Sequence, residues 1–306
     1  MNTPRQQQGV VVIVALLIVA LAATAATLMV QQQDFSARQL EAARDYEQAR
    51  WVLNGGTHWA RAILAEDARS NRVDHERELW ATGLPPTDFE QGRISGAIRD
   101  QQGLFNLNNL ARDGKSSERD VAALKRMLRT LALRADLAEA IADWIDADSI
   151  RNPGGAEDAD YLRLPAPYLA ANRAMTDLND LRRVRGVDEA ALAKLRLFAT
   201  VLPRRTPVNV NLAPPEVLSA VVDGLTLPEA RVLVSSRSAA PFRDRDDFRS
   251  RLPRRDLLVS DEEIAVESQF FLVEGRAQVG KADLRASTLL QRGGNTLPSI
   301  VWQRLS

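Results

Sequence analysis

Residues 10–30 read VVVIVALLIVALAATAATLMV, and Thr24 and Thr27 are the only polar side chains in that run. No charge falls between Arg5 and Asp34. At about 1.5 Å of rise per residue, a helix over this run crosses the ~30 Å hydrocarbon layer of a bilayer. The run predicts a membrane-spanning helix. Arg5 ahead of it predicts a cytoplasmic N-terminus, with everything after residue 30 on the far side. A cleaved secretory signal is the competing reading. It fits less well, because the apolar stretch outruns an ordinary signal core and no clear break follows its small residues.

The chain beyond the anchor is long enough for a substantial core. The protein has 306 residues, 40 basic and 40 acidic side chains, no cysteine and two histidines, His58 and His75. Neutral net charge argues against binding nucleic acid by phosphate neutralisation. Absent cysteine excludes disulfides, thiolate zinc sites and cysteine nucleophiles. After the membrane run, Phe35, Tyr46, Leu53, Trp59, Ile63 and Leu64 read as an apolar helical stripe, so one helix is expected from about 10 to 66. Gly55-Gly56 interrupts it and suggests close packing or a bend. Strands are expected at RISGAIR (93–99), at FFLVEGRAQVG (270–280) and ADLRASTLLQR (282–292) joined around Gly280-Lys281, and at SIVWQRL (299–305).

Between these strands the pattern is helical. Ser117-x-x-Asp120 resembles a capping box ahead of Val121, Leu124, Leu128 and Leu131. Leu137, Ile141, Trp144 and Ile145 continue the helical spacing, and Thr176 and Asp188 are expected N-caps. Residues 106–205 therefore read as a helical insertion. The fold class is α+β, with antiparallel strands layered on a helix.

Segments 181–195 and 218–233 both read as helix, short glycine turn, helix, and resemble helix-hairpin-helix motifs. Bound to DNA, such turns aim backbone amides at phosphate. Here Asp188 and Thr226 stand where phosphate-binding versions carry a second glycine, which favours a compact packing unit. GKS at 114–116 lacks the first glycine of a phosphate loop and the strand before it. His58 reads as a surface or packing residue, and no serine sits in a G-x-S-x-G elbow. No nucleophile, base and orienting group can be assembled, so no enzymatic activity is expected.

The stretch 143–160, DWIDADSIRNPGGAEDAD, holds six acids against Arg151 alone. Pro153-Gly154-Gly155 lets the chain fold back and bring the two acidic groups together. Oxygen ligands without His or Cys suit a hard cation such as Ca²⁺. A solvated acidic loop with helix-capping aspartates fits the same residues.

The leader MNTPRQQQG ends in Gly9 directly against the apolar Val10. It resembles the class III leader of type IV pilins and pseudopilins. Further motifs, GGTHWA (55–60), DQQGLFNLNNL (100–110), DWIDAD (143–148), GGAEDADY (154–161), NRAMTDLNDLRRVRG (172–186) and TPVNVNLAPPEVL (206–218), occur in order and are similar to those of one subunit family. That family is the K-type minor pseudopilin of the type II secretion system. The resemblance implies a pilin-like fold, with a long N-terminal transmembrane helix on an antiparallel β-sheet and a large inserted α-helical domain. It implies cleavage after Gly9 by prepilin peptidase, N-methylation of Val10, and Val14 where most such subunits have glutamate. Its implied layout is a leader (1–9), a membrane helix (10–30), a first pilin-like part (31–105), the insertion (106–205), a second hairpin segment (206–265) and C-terminal strands (266–306).

The same resemblance implies structural Ca²⁺ in the insertion, through some of Asp146, Asp148, Glu157, Asp158 and Asp160. Implied partners are the I- and J-type minor pseudopilins, the major pseudopilin fibre and the inner membrane, with no nucleic acid. The implied role is to initiate or cap the pseudopilus tip and so support export of folded proteins, with the C-terminal domain periplasmic. The alternative that the hairpins raise is a membrane-anchored DNA receptor of a competence-like uptake system.

Overall fold

The computed structural model describes residues 5–294 and 296–306. Residues 1–4 of the expected leader lie outside the described residues. Helix α1 (Arg5–Ser70) runs unbroken for 66 residues, about 100 Å at helical rise. Its apolar N-terminal window is entirely uncovered by protein. Burial begins at Ala49 and continues through Leu53, Thr57, Ala60 and Leu64, spaced three or four apart. This corrects the expected stripe, because Phe35, Tyr46 and Trp59 are exposed. Small residues serve the buried face because α1 lies close on the sheet. A Cβ added at Gly275 would sit 3.0 Å from Leu53 Cδ2. Gly55-Gly56 does not interrupt α1, and neither glycine is demanded by packing. A Cβ at Gly55 meets nothing within 4 Å, and one at Gly56 makes ordinary contact with Ile94 at 3.5 Å.

Five strands form one antiparallel sheet in chain order: β1 (Leu84–Phe89), β2 (Gly92–Asp100), β3 (Phe270–Val279), β4 (Ala282–Gln291) and β5 (Ser299–Leu305). β2 pairs with β3 from Gly92↔Val279 to Asp100↔Phe271. Everything between residues 100 and 270 therefore leaves and re-enters at one point of the sheet. The β3–β4 hairpin turns at Gly280-Lys281 as expected. Gly280 has φ +52°, and a Cβ there would lie 2.1 Å from Asp45 Oδ2 on α1. Only glycine fits that turn. β1 was not legible as a strand because it contains Pro85-Pro86, which an edge strand tolerates.

The excursion holds α2 (Glu118–Thr130), α3 (Leu137–Ile145), α4 (Asp158–Tyr161), α5 (Glu189–Leu195), α6 (Pro215–Val221), α7 (Leu227–Ala239) and α8 (Arg245–Ser250). One apolar core joins them, from Phe105 through Leu124, Ile141, Tyr161, Leu192, Val217 and Phe248 to Ile264. The expected division at 205/206 falls inside this core, and Arg126 Nε on α2 donates to Ala220 O on α6 at 2.8 Å.

Two caps differ from expectation. Ser117 Oγ donates to Asp120 Oδ2 at 2.6 Å, a side-chain pair in place of a capping box. Asp177, one residue beyond Thr176, caps the 3-10 turn Leu178–Arg183 by accepting from Asn179 N at 2.7 Å. Asp188 caps α5 as expected, accepting from Ala191 N at 2.7 Å.

The two N-x-N motifs do the same work twice. Asn106 Oδ1 accepts from Asn108 N at 3.1 Å, and Asn209 Oδ1 accepts from Asn211 N at 3.0 Å. Each second asparagine then clamps a distant backbone: Asn108 holds Met175, and Asn211 holds Phe242. Each motif also opens a short parallel pairing, Phe105–Asn106 with Ala199–Thr200 and Val208–Asn209 with Ile264–Ala265. Buried backbone groups that no regular ladder reaches are satisfied this way.

Candidate metal centre

Helix α3 ends at Ile145, and Asp146 N still bonds back to Ala142 O at 2.9 Å, so Asp146 is fixed one step past the helix end. The chain then folds back through Pro153-Gly154-Gly155, with Gly154 at φ +94°. Gly155 passes so close to Asp143 that a Cβ would sit 1.9 Å from Oδ2. Asp143 itself is occupied by Asn152, whose Nδ2 donates to Oδ1 at 2.6 Å. The fold-back delivers Glu157 to Asp146 and Asp148, with one carboxylate oxygen from each lying within 4.8 Å of the others.

Asp146 and Glu157 are buried. Asp146 Oδ1 and both Glu157 oxygens have no hydrogen-bond partner. Burial first, then the charges of Asp148 and Asp143, pushes Asp146 up to about 7. Burial and the surrounding carboxylates push Glu157 up to about 7 as well. A buried acidic group without donors is costly unless a proton or a cation neutralises it. Asp148 Oδ1 accepts from Ile150 N at 2.8 Å. The donor set is all oxygen, and the orphaned atoms of Asp146 and Glu157 fit a hard cation.

The other two expected ligands are engaged elsewhere. Asp158 Oδ1 accepts from Ala170 N at 2.8 Å. Asp160 pairs with Arg151 at 3.4 Å and Arg185 at 3.1 Å. Burial pushes Asp160 up, but the Glu157 amide and the two arginines outweigh it and hold it below the usual carboxylate range. One further orphaned oxygen lies on a segment bonded to the end of α3. Asn172 Oδ1 is buried without a partner, its φ is +45°, and its N–H bonds to Trp144 O at 3.1 Å, two residues before Asp146. A second acidic group, Asp67, Asp74 and Glu78, is also compact but already supplied with donors from Arg292, Asn71 and Trp80.

The glycine turns of the two hairpins lie at the surface, but a backbone amide in each is already engaged within the protein. Arg185 N bonds to Tyr161 OH at 3.2 Å, and Leu225 N to Val222 O at 3.2 Å. A Cβ at Gly186 would meet Leu137 at 3.2 Å. Asp188 and Thr226, at the positions of the missing glycines, act as N-caps. Gly114 lies in the tight turn between Ala111–Arg112 and Lys115–Ser116, not in a phosphate loop. His58 is exposed beside Arg61. At the other end of the molecule, Gly9 and Val10 lie in continuous helix, and Val14 is exposed among apolar neighbours.

A long apolar helix whose second half carries an antiparallel sheet, with a helical body inserted between two neighbouring strands, defines a membrane-anchored subunit of pilin type. Type II secretion system (T2SS) protein K matches the chain over residues 103–204 and again over 208–266. The type II secretion system protein K of Pseudomonas aeruginosa is 32% identical over 272 residues, covering 84% of this chain and 79% of its own. That of Klebsiella pneumoniae is 31% identical over 275 residues, covering 85% and 84%. A subunit of the GspK-GspI-GspJ complex from the enterotoxigenic Escherichia coli type 2 secretion system superposes with a TM-score of 0.76 at 25% identity, over 88% of this chain and 99% of that one. The chain belongs to the type II secretion system protein K family. Its role is that of a minor pseudopilin, and none of these comparisons favours a DNA receptor.

Proposed function

We propose that the chain is a non-enzymatic subunit that initiates or caps the pseudopilus tip, assembled with I- and J-type minor pseudopilins on the major pseudopilin fibre. It enters the inner membrane by α1, with its N-terminus cytoplasmic and the remainder periplasmic. Prepilin peptidase cuts between Gly9 and Val10 and the new N-terminus is methylated. The observation that carries the tip reading is the shape of the insertion: a large helical body leaves the pilin-sized sheet at a single point, between β2 and β3. Such a body obstructs a subunit stacked above it and is unobstructed at an end. Val14 supports the same position. A carboxylate in the bilayer is expensive without a partner, and a valine has no such need to join beneath the amine of an earlier subunit.

Asp146, Asp148 and Glu157, with Asn172 beside them, would hold Ca²⁺ in the insertion. The ion would neutralise carboxylates that are otherwise buried against one another. Its function is structural, fixing the fold-back beyond α3.

Excision tests the tip role. Asp100 pairs with Phe271 across antiparallel strands, and Gln101 N bonds to Phe270 O at 3.0 Å, so a short turn can replace residues 101–269. The expected result is a folded, membrane-anchored remainder that no longer supports normal fibre initiation and length. Unaltered initiation and length, with the minor partners still bound, would remove the tip role.

A further inference from the structure

The two edges of the sheet meet solvent differently. β1 carries Pro85-Pro86 and a register slip between Leu84 and Thr87, devices that deter further pairing. β5 has no proline, glycine or lysine. Arg285 and Ser306 exchange two backbone hydrogen bonds, at 2.8 and 3.0 Å, so Ser306 faces β4. Antiparallel alternation then turns Arg304 and Trp302 toward β4, and the N–H and C=O of Gln303 and Leu305 away from it. Among the described residues, no hydrogen bond uses those four outward groups. A bulge at Val301 ends the regular stretch, so the free edge is 302–306.

Both faces of this strand are fastened. Gln303 Nε2 donates to Asn54 on α1 at 3.3 Å. Trp302 packs with Leu202, Phe270 and Leu289. Arg304 stacks over Trp302 at 4.5 Å and pairs with Asp177 of the insertion, which draws its charge away from the edge. The strand is thereby rigid and extended, with a preset row of donors and acceptors. That pattern is matched by another extended strand.

We propose that the β5 edge takes up an extended strand of a different minor pseudopilin in the same assembly. This rests on the minor-pseudopilin reading and adds the contact surface. Antiparallel β5-to-β5 pairing with a second copy of this chain is excluded by the anchor. α1 runs along the sheet, from Asp45 at the β3–β4 turn to Asp67 beside Arg292 at the far end of β4. Antiparallel pairing of two β5 strands in one continuous sheet requires a two-fold axis normal to that sheet. The axis reverses α1, and the two membrane anchors would point in opposite directions.

The test uses the full-length chain co-expressed with its I- and J-type partners and extracted from membranes. Hydrogen exchange of the Gln303 and Leu305 amides should slow at least about tenfold in the complex. Gln303→Pro removes an outward N–H and leaves the bonds to β4, so partner capture should fall at least about tenfold, while Gln303→Ala captures as wild type. Equal capture by Gln303→Pro, or unchanged exchange in the wild-type complex, overturns the edge contact and leaves the family role standing. A wild-type chain that captures neither partner overturns both. Protection that appears in the chain alone and grows with its concentration means self-pairing and also overturns the proposal. Should Gln303→Pro fail to fold, Leu305→Pro and the wild-type exchange decide.

Discussion

Asn108 holds Met175 by both ends of its side-chain amide: Nδ2 donates to the Met175 carbonyl at 3.0 Å, and Met175 N donates to Oδ1 at 2.9 Å. The same Nδ2 also reaches Leu202 O at 2.8 Å. Three backbone groups on two residues distant in sequence are thus satisfied by one buried side chain. Asn108→Leu leaves them without partners, at about 1–3 kcal/mol for each buried group stranded. The variant should melt well below wild type, with its α1–sheet contacts unaffected. A melt within a degree of wild type would show that water replaces the amide there.

The orphaned carboxylates predict opposite effects of one substitution with and without metal. With calcium, wild type gains RT ln(1 + [L]/Kd), about 2.7 kcal/mol at a hundredfold excess over Kd. Asp146→Asn with Glu157→Gln removes that gain. Without calcium the double variant should be at least as stable as wild type, because it no longer buries repelling charges. Thermal melts in calcium and in chelator measure both. Identical wild-type melts in the two conditions would eliminate the metal site.

Asp74, buried beside Arg292 and Ser268, gives the protein a pH dependence of definite sign. Burial pushes its carboxyl up to about 7 against the pull of Arg292, and burial with the charge of Glu78 raises Asp67 to about 6. In the unfolded chain both titrate near 4. The folded state therefore binds extra protons between about pH 4 and 7. This contribution is fully present below the unfolded value and is lost as pH rises through the folded values. Calcium-saturated protein should lose stability across that window, and Asp74→Asn should flatten the loss. A variant with the wild-type slope would contradict the assignment.

At the β3–β4 turn, Gly280→Ala introduces a left-handed non-glycine residue and a collision with Asp45. The expected cost is about 1–3 kcal/mol. Adding Asp45→Ala should recover only the steric part, because the positive φ remains. Full recovery would mean that backbone strain contributes nothing there.

The parts of this fold that were legible in the sequence are those where local pattern and tertiary packing agree. The apolar run, the hairpin at Gly280-Lys281, and the spacing of Leu124, Leu128, Ile141 and Trp144 each point one way. β1 was hidden because its prolines deny the strand reading until its edge position is known. The buried stripe of α1 was misread because closeness to the sheet selects Ala49 and Ala60, while Trp59 points outward. In the acidic loop, composition identified the region but not its sorting. Asp160 is diverted by Arg185, distant in sequence, and Asn172 arrives from beyond α4. Such pairings depend on how the chain folds back, which residue type alone does not record.

Processing and insertion as a pseudopilin would fix the mature N-terminus of this chain. The most direct measurement is the intact mass and N-terminal sequence of the protein extracted from membranes. The expected result is loss of residues 1–9 and one added methyl group on Val10, with α1 otherwise retained. An N-terminus still at Met1, or one created beyond the apolar run by a secretory signal peptidase, would contradict it.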